Sequence, residues 1–354
     1  MIPGPPAPPP RFPAAAGARV RAWIARHPVV FVALLSPGIV EYLSGSSQLA
    51  GLVVVPPLFF LFLAANLGLY VPGVLLIREA RNRWRGGWGT VLLLGCAYAI
   101  VEEGLALSTL FNPHAGVVGG LGFYGHFLGV SWVWLVGVVA IHVVYSISLP
   151  ILLLDLALPA RRATAILSRR GIVTTVGILA ATTLGLMAIT AYAVHFFLGV
   201  PLVLGSLAAV AALVLLAYRL PAGTVVPARA LPTAPPYAFA LLGLSFWVGI
   251  ILFQALLGTL AIPAAVTTVG LVLVLLGYLF VFLRTIGERE NQRHRIALAA
   301  GLVAPLMFVG AIVQLHAPVV LVADGAAIWF FAYLWRRYRS PSLAGSSVPA
   351  AVAT

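Results

Sequence analysis

Stretches of about twenty apolar residues, nearly empty of charge, recur from residue 28 to residue 335 of this 354-residue chain. Each is long enough to cross a ~30 Å hydrocarbon core as a helix. Lipid offers no partners to backbone N–H and C=O groups, so continuous apolar runs of this kind must close their hydrogen bonds internally. The expected fold class is therefore all-α, a polytopic helical integral membrane protein. Composition agrees: 62% of residues are hydrophobic and 8% are charged, against about 25% charged in a soluble domain. The spans are expected near residues 28–43, 56–79, 88–110, 131–158, 172–198, 200–218, 237–260, 263–284, 298–315 and 318–335.

The arginines test that division. The chain has no Lys, so all 21 basic residues are Arg. With ten spans, every one falls on the same side: before span one, between spans two and three, four and five, six and seven, eight and nine, and after span ten. The positive-inside rule makes that side cytoplasmic. Both termini are then inside, and a plasma (inner) membrane location is expected. The formal net charge of +13 is accounted for by those loops and calls for no nucleic-acid partner. Cys96, the single cysteine, supports neither a disulfide framework nor a thiolate metal site.

Four segments follow. Residues 1–27, opening MIPGPPAPPPRFP, read as a Pro-rich disordered cytoplasmic tail, and no small-x-small cleavage site follows Arg19, Arg21 and Arg26 to suggest a signal peptide. Residues 28–170 hold the N-terminal helices. Residues 171–339 form helical hairpins with short outer turns ending at Pro201, Pro263 and Pro318, and 340–354 is a second disordered tail. Ser36-Pro37-Gly38 and Val71-Pro72-Gly73 are expected to kink their spans. The Gly-rich connection 111–130 is a candidate re-entrant or lid segment.

Only eight residues are acidic. Glu79 precedes Arg83 by four residues, Asp155 lies near Arg161 and Arg162, and Glu288 and Glu290 sit in an Arg-rich loop. These four read as solvated charges at the inner interface. Glu41, Glu102, Glu103 and Asp324 map instead to the outer halves of spans, where there is no Arg. At ~1.5 Å per residue, Glu102 lies about 20 Å beyond the inner end of its helix. An ionised carboxylate there costs several kcal/mol without a cation, so it must be protonated, wet, or met by an imidazole, a metal or a cationic ligand. His142 enters span four from the outside to a depth of ~16 Å, level with Glu102, and shares a face with Ser146. Tyr98, one turn before Glu102, can donate to it. Adjacent residues on an α-helix point about 100° apart, so only one of Glu102 and Glu103 is expected to face a common ligand squarely. A capping role for Glu41 and a structural role for Asp324, His195 and His316 are open alternatives.

A Glu-Glu pair on one span, His142 on the next and His195 on the one after resembles the glutamate-type intramembrane proteases of the CAAX-protease and bacteriocin-processing family, whose motifs are EExxxR, FxxxH and HxxxN or HxxxD. The resemblance covers about residues 85–200. It implies Glu102 as the base that activates water, Glu103 as its supporting carboxylate, His142 as the residue orienting the water and His195 as the oxyanion stabiliser, acting on a membrane-embedded peptide. The chain departs from the pattern at three positions: Leu107 replaces the motif Arg, Val138 the Phe, and Gly199 the final Asn or Asp.

Three functions remain open on the residues: a metal-independent membrane hydrolase, an ion- or proton-coupled transporter with a site in the outer half of the membrane, and a non-catalytic structural membrane protein. No cofactor is expected. Two acids and two imidazoles suit a divalent metal, but no HExxH-type spacing exists, which makes zinc hydrolysis the weaker version. The lipid bilayer is the one partner the composition requires.

Overall fold

The computed structural model describes residues 14–47, 49, 51–221, 234–285, 291–315 and 319–338. The Pro-rich start, His316 with the His-Ala-Pro318 turn, the loop carrying Glu288, Arg289 and Glu290, residues Arg11, Arg229 and Arg339, and the tail from 340 lie outside the described residues. Within them the chain is helical almost throughout. Helix α1 (Ala14–Arg26) leads into α2 (Pro28–Pro37), followed by α3 (Gly51–Val54), α4 (Pro56–Arg83), α5 (Trp88–Ala99), α6 (Trp132–Ile141), α7 (Leu149–Ala157), α8 (Arg169–Val194), α9 (Val200–Arg219), α10 (Pro236–Thr259), α11 (Ala264–Thr285), α12 (Gln292–Val313) and α13 (Val319–Arg337).

Nine helical segments among the described residues are long and apolar enough to cross a membrane, and a tenth is counted if the pair Gly17–Arg26 and Pro28–Tyr42 forms one span bent by 98°. The protein is thus a multi-pass helical membrane protein. The N-terminal boundary differs from expectation: a helix begins at Ala14, so the segment expected as a tail to residue 27 carries ordered structure in its second half. Its AAAGARVRAWIAR sequence contains no proline once residue 13 is passed. The 111–130 connection forms no α-helix. It folds as successive turns, a short 3₁₀ segment at Gly119–Gly122 and a two-stranded hairpin, β1 (His126–Phe127) with β2 (Val130–Ser131).

Burial ranks the helices. The apolar window of α5 is 72% buried and that of the α6–α7 span 67%, against 11% each for α8, α9, α11 and α13. The former make the centre, and the latter turn rows of Leu, Val and Phe outward, as lipid contact demands. Helices α10 and α12 approach most closely, because a Cβ on Gly301 would run into the Ala240 carbonyl and one on Gly243 into the Leu298 carbonyl. Small residues permit backbones to touch where no hydrophobic gradient drives helices together.

At the Arg-bearing end, the acids expected to be solvated are buried. Asp155 is 6% exposed and Glu79 2%, beside Arg78 at 1% and Arg81 at 6%. Arg81 donates both terminal nitrogens to Asp155, at 2.9 and 3.2 Å, a bidentate pair across 74 residues of sequence. Arg78 lies 3.8 Å from Asp155 and donates to the carbonyls of Arg161 and Thr164, while Glu79 pairs with Arg83 at 3.0 Å and accepts the backbone N–H groups of Ile166 and Leu167. The loop 158–168 thus closes over α4 and α7, replacing solvent with its own carbonyls and amides.

Three spans change pitch at mid-helix. Helix α2 runs into a π turn at Gly38–Tyr42, α5 into one at Ile100–Ala106, and α6 into one at His142–Ser148 before α7. The i→i+5 bonds that define them include Leu43 N–H to Gly38 C=O at 2.8 Å and Leu107 N–H to Glu102 C=O at 2.9 Å. Prolines account for two. Pro37 precedes the first, and Pro150 has no N–H for the Ser146 carbonyl one turn back, which accepts instead from the Ser36 hydroxyl at 3.2 Å. The second segment has no proline; it ends at Ser108, in the left-handed region at φ 59°.

Candidate functional site

All three π segments face one another, and each contributes polar side chains to a single cluster. π turns inside α-helices are frequent at functional sites because the extra residue re-aims side chains. His142 is its centre. The ring is 5% exposed, with Glu103 Oε1 2.9 Å from Nε2 and, on the other side, Glu102 Oε2 and Ser146 Oγ each 2.9 Å from Nδ1. The expectation that only one of the adjacent glutamates would reach a shared ligand is corrected here. The π turn has more residues per turn than an α-turn, which narrows the angle between adjacent side chains, and an imidazole presents nitrogens on opposite edges, so the two carboxylates grip it from both.

The carboxylates are not equivalent. Glu103 is fully held: its second oxygen and its own carbonyl both accept from the Thr109 hydroxyl, which in turn accepts from Trp134 Nε1 at 3.2 Å. Glu102 is 1% exposed, and its Oε2 lies off the hydrogen-bonding axis of the imidazole, so that oxygen has no hydrogen-bond partner. The Tyr98 hydroxyl is buried in the same place and directed at Glu102, as expected, though without ideal hydrogen-bond geometry.

Tyr70 and Tyr98 wall the imidazole, with ring centroids 6.4 Å from it, Tyr70 stacked at 16° and Tyr98 edge-on at 61°. The ring of Tyr98 reaches this position because Gly73 on α4 has no side chain; a Cβ there would meet the ring. Glu41, whose alternative was a backbone cap, joins through side chains. It accepts from Tyr70 Oη at 2.5 Å and from Ser47 Oγ at 2.7 Å, and lies within electrostatic reach of Glu102 and His142. Tyr70, Ser47 and Thr109 were missed by sequence reasoning. Only Tyr70, half a turn before Pro72, carried a local signal; the other two lie in connections.

His195 does not join. It caps the C-terminus of α8 in the left-handed region at φ 52°, exposed, and makes no contact with the cluster among the described residues. Helix α8 ends at Val194 and α9 begins at Val200, so His195 opens the connection between them. Asp324, half-buried on α13, is likewise apart, its Oδ1 lacking a hydrogen-bond partner. Among the described residues, no group of three or more His, Cys, Asp or Glu is placed to hold a metal ion.

Comparison with known proteins adds no family. No protein-family model, curated protein or solved structure matches the chain.

Proposed function

We propose that this protein is a membrane-embedded hydrolase of the glutamate type, cleaving an amide bond in a substrate that reaches it within the bilayer. The observation that carries the reading is the asymmetric clamp on His142, with one anchored and one unsatisfied carboxylate. Glu103 fixes the ring through Nε2, as the orienting acid of a base–imidazole pair does. Glu102 takes a proton from water as the water oxygen attacks the carbonyl carbon. The tetrahedral intermediate then collapses, the C–N bond breaks, and the proton passes from Glu102 to the departing nitrogen. The resemblance to glutamate intramembrane proteases likewise implies Glu102 as the base, with Glu103 as its supporting carboxylate and His142 orienting the water. Its oxyanion residue, His195, is exposed at the end of α8, so the Tyr98 hydroxyl, buried beside His142, takes that role in this reading. The same reading puts the Arg-bearing helix ends in the cytoplasm and the chain in a plasma (inner) membrane.

The test is hydrolysis of a library of transmembrane peptides by the purified protein in lipid. Glu102→Gln is expected to remove cleavage by at least about a hundredfold while leaving the helical circular dichroism intact. Undiminished cleavage by Glu102→Gln overturns the assignment.

Glu41 favours one other reading. Three carboxyl groups and one imidazole gathered inside a span bundle are groups that a cation- or proton-coupled carrier uses. Glu102-dependent cation or proton flux in proteoliposomes, without peptide cleavage, selects the carrier.

A further inference from the structure

A groove of about 400 Å³ lies between α4, α5, α8 and α9, separate from the carboxylate cluster and open where α8 and α9 part. Those two helices are consecutive, yet α8 packs on α4 and α9 on α5, with few contacts between them. Its walls are apolar, formed by residues such as Leu76, Leu94, Val176, Leu179 and Val214. Its two ends differ. One stops at Tyr98 and Gly73, near mid-span; the other reaches Glu79, Arg83 and Trp84 at the Arg-bearing interface. Along α4 from Gly73 to Trp84 the groove runs about 16 Å, close to the half-thickness of a ~30 Å hydrocarbon core.

The mouth is positive. Glu79 and Arg83 neutralise one another at 3.0 Å. Beyond them Arg85, Arg169, Arg170 and Arg219 are exposed, and none has a carboxylate partner among the described residues. Arg169 precedes the groove-lining Ile172 and Val176 by three and seven residues, so it extends from the same face of α8. Trp84 and Tyr218 pack edge to face at 5.3 Å beside this mouth, an amphipathic pair of the kind that marks the headgroup level.

We propose that this groove is a binding site for an anionic membrane lipid, one acyl chain lying along α4 and α8 with its phosphate among the mouth arginines. Depth matches one leaflet, and the charge distribution selects the headgroup: a zwitterionic lipid offers uncompensated guanidinium groups a phosphate but no net negative charge, so it gains less than an anionic one. The chain end meets the ring of Tyr98, whose other edge faces His142, so occupancy of the groove and the position of that ring are coupled.

Native mass spectrometry of the full chain, released from micelles containing phosphatidylglycerol or phosphatidylcholine, tests this. One phosphatidylglycerol is expected to be retained in preference to phosphatidylcholine. Val176→Trp with Val214→Trp fills the groove and abolishes retention; both valines are already exposed on its wall, so the core is not overpacked. Arg169→Gln with Arg170→Gln, on the exposed first turn of α8, leaves folding untouched and lowers the preference by about fivefold per arginine, which decides the matter even if the filled variant does not fold. Equal retention of the two lipids, or a preference unmoved by the arginine changes, overturns the proposal. Neither result bears on peptide cleavage.

Discussion

Replacing Asp155 by Ala separates a buried charge network from the surface charges that the sequence suggests. The side chain is 5% exposed, gripped by Arg81 at 2.9 Å, with Arg78 at 3.8 Å and Arg162 at 3.7 Å. Exposed pairs contribute about 0–1 kcal/mol, whereas removing one partner of a buried pair costs about 3–5 kcal/mol because an uncompensated charge remains. Here the stranded guanidinium groups keep the carbonyls of Arg161, Arg162 and Thr164. That partial compensation places the expected loss at the lower end, about 3 kcal/mol, or roughly two powers of ten in the unfolding equilibrium. The assay is detergent-titrated unfolding in mixed micelles, followed by circular dichroism, with Arg162→Gln as the control. Arg162 is 42% exposed and its replacement is expected to cost no more than about 1 kcal/mol. A loss for Asp155→Ala no larger than that of the control refutes the argument that the loop 158–168 is closed by buried charge.

Gly301→Ala is expected to force α10 and α12 apart, since its methyl would collide with the Ala240 carbonyl; a loss of about 1–3 kcal/mol should appear in the same unfolding assay. Thr109→Val keeps the volume of the side chain but removes the donor that holds Glu103, and is expected to cost about 1–3 kcal/mol and to slow any Glu102-dependent reaction measurably. His195→Gly relieves a left-handed cap, so thermal stability should rise by about 1 kcal/mol with the reaction rate unchanged; a lost reaction would restore His195 to the site.

The helical spans were readable because lipid imposes a length and a polarity: α4, α9, α10 and α13 begin within a residue or so of the points where hydropathy and proline place them. The meeting of Glu102 with His142 was readable too, since helical rise alone puts both at one depth. Three things were not. The grip of both glutamates on one ring depends on π pitch, and the segment 100–106 contains no residue that announces it. The nearby Arg162 does pair with Asp155, at 3.7 Å, but its shortest and bidentate partner is Arg81, 74 residues away, because packing of α4 on α7 brings those side chains together. The contribution of Glu41 and Tyr70 required the spacing of α2 and α4, which no periodicity encodes. His195 failed for the converse reason: its placement followed the family pattern, while the structure leaves it exposed as the left-handed residue that ends α8.

The pitch changes have a consequence for how this chain tolerates length variation. A turn closed by i→i+5 bonds accommodates one residue more than an α-turn, so the two halves of such a span are set against each other by that surplus. Deleting that surplus residue would shorten the rod by only ~1.5 Å yet return the turn to α pitch, with adjacent side chains again about 100° apart. For α5 with its continuation, that would take one of Glu102 and Glu103 off the imidazole while the hydrophobic length stayed sufficient for insertion. Indels at Ile100–Ala106 should therefore yield proteins that enter the bilayer normally and are nonetheless inert.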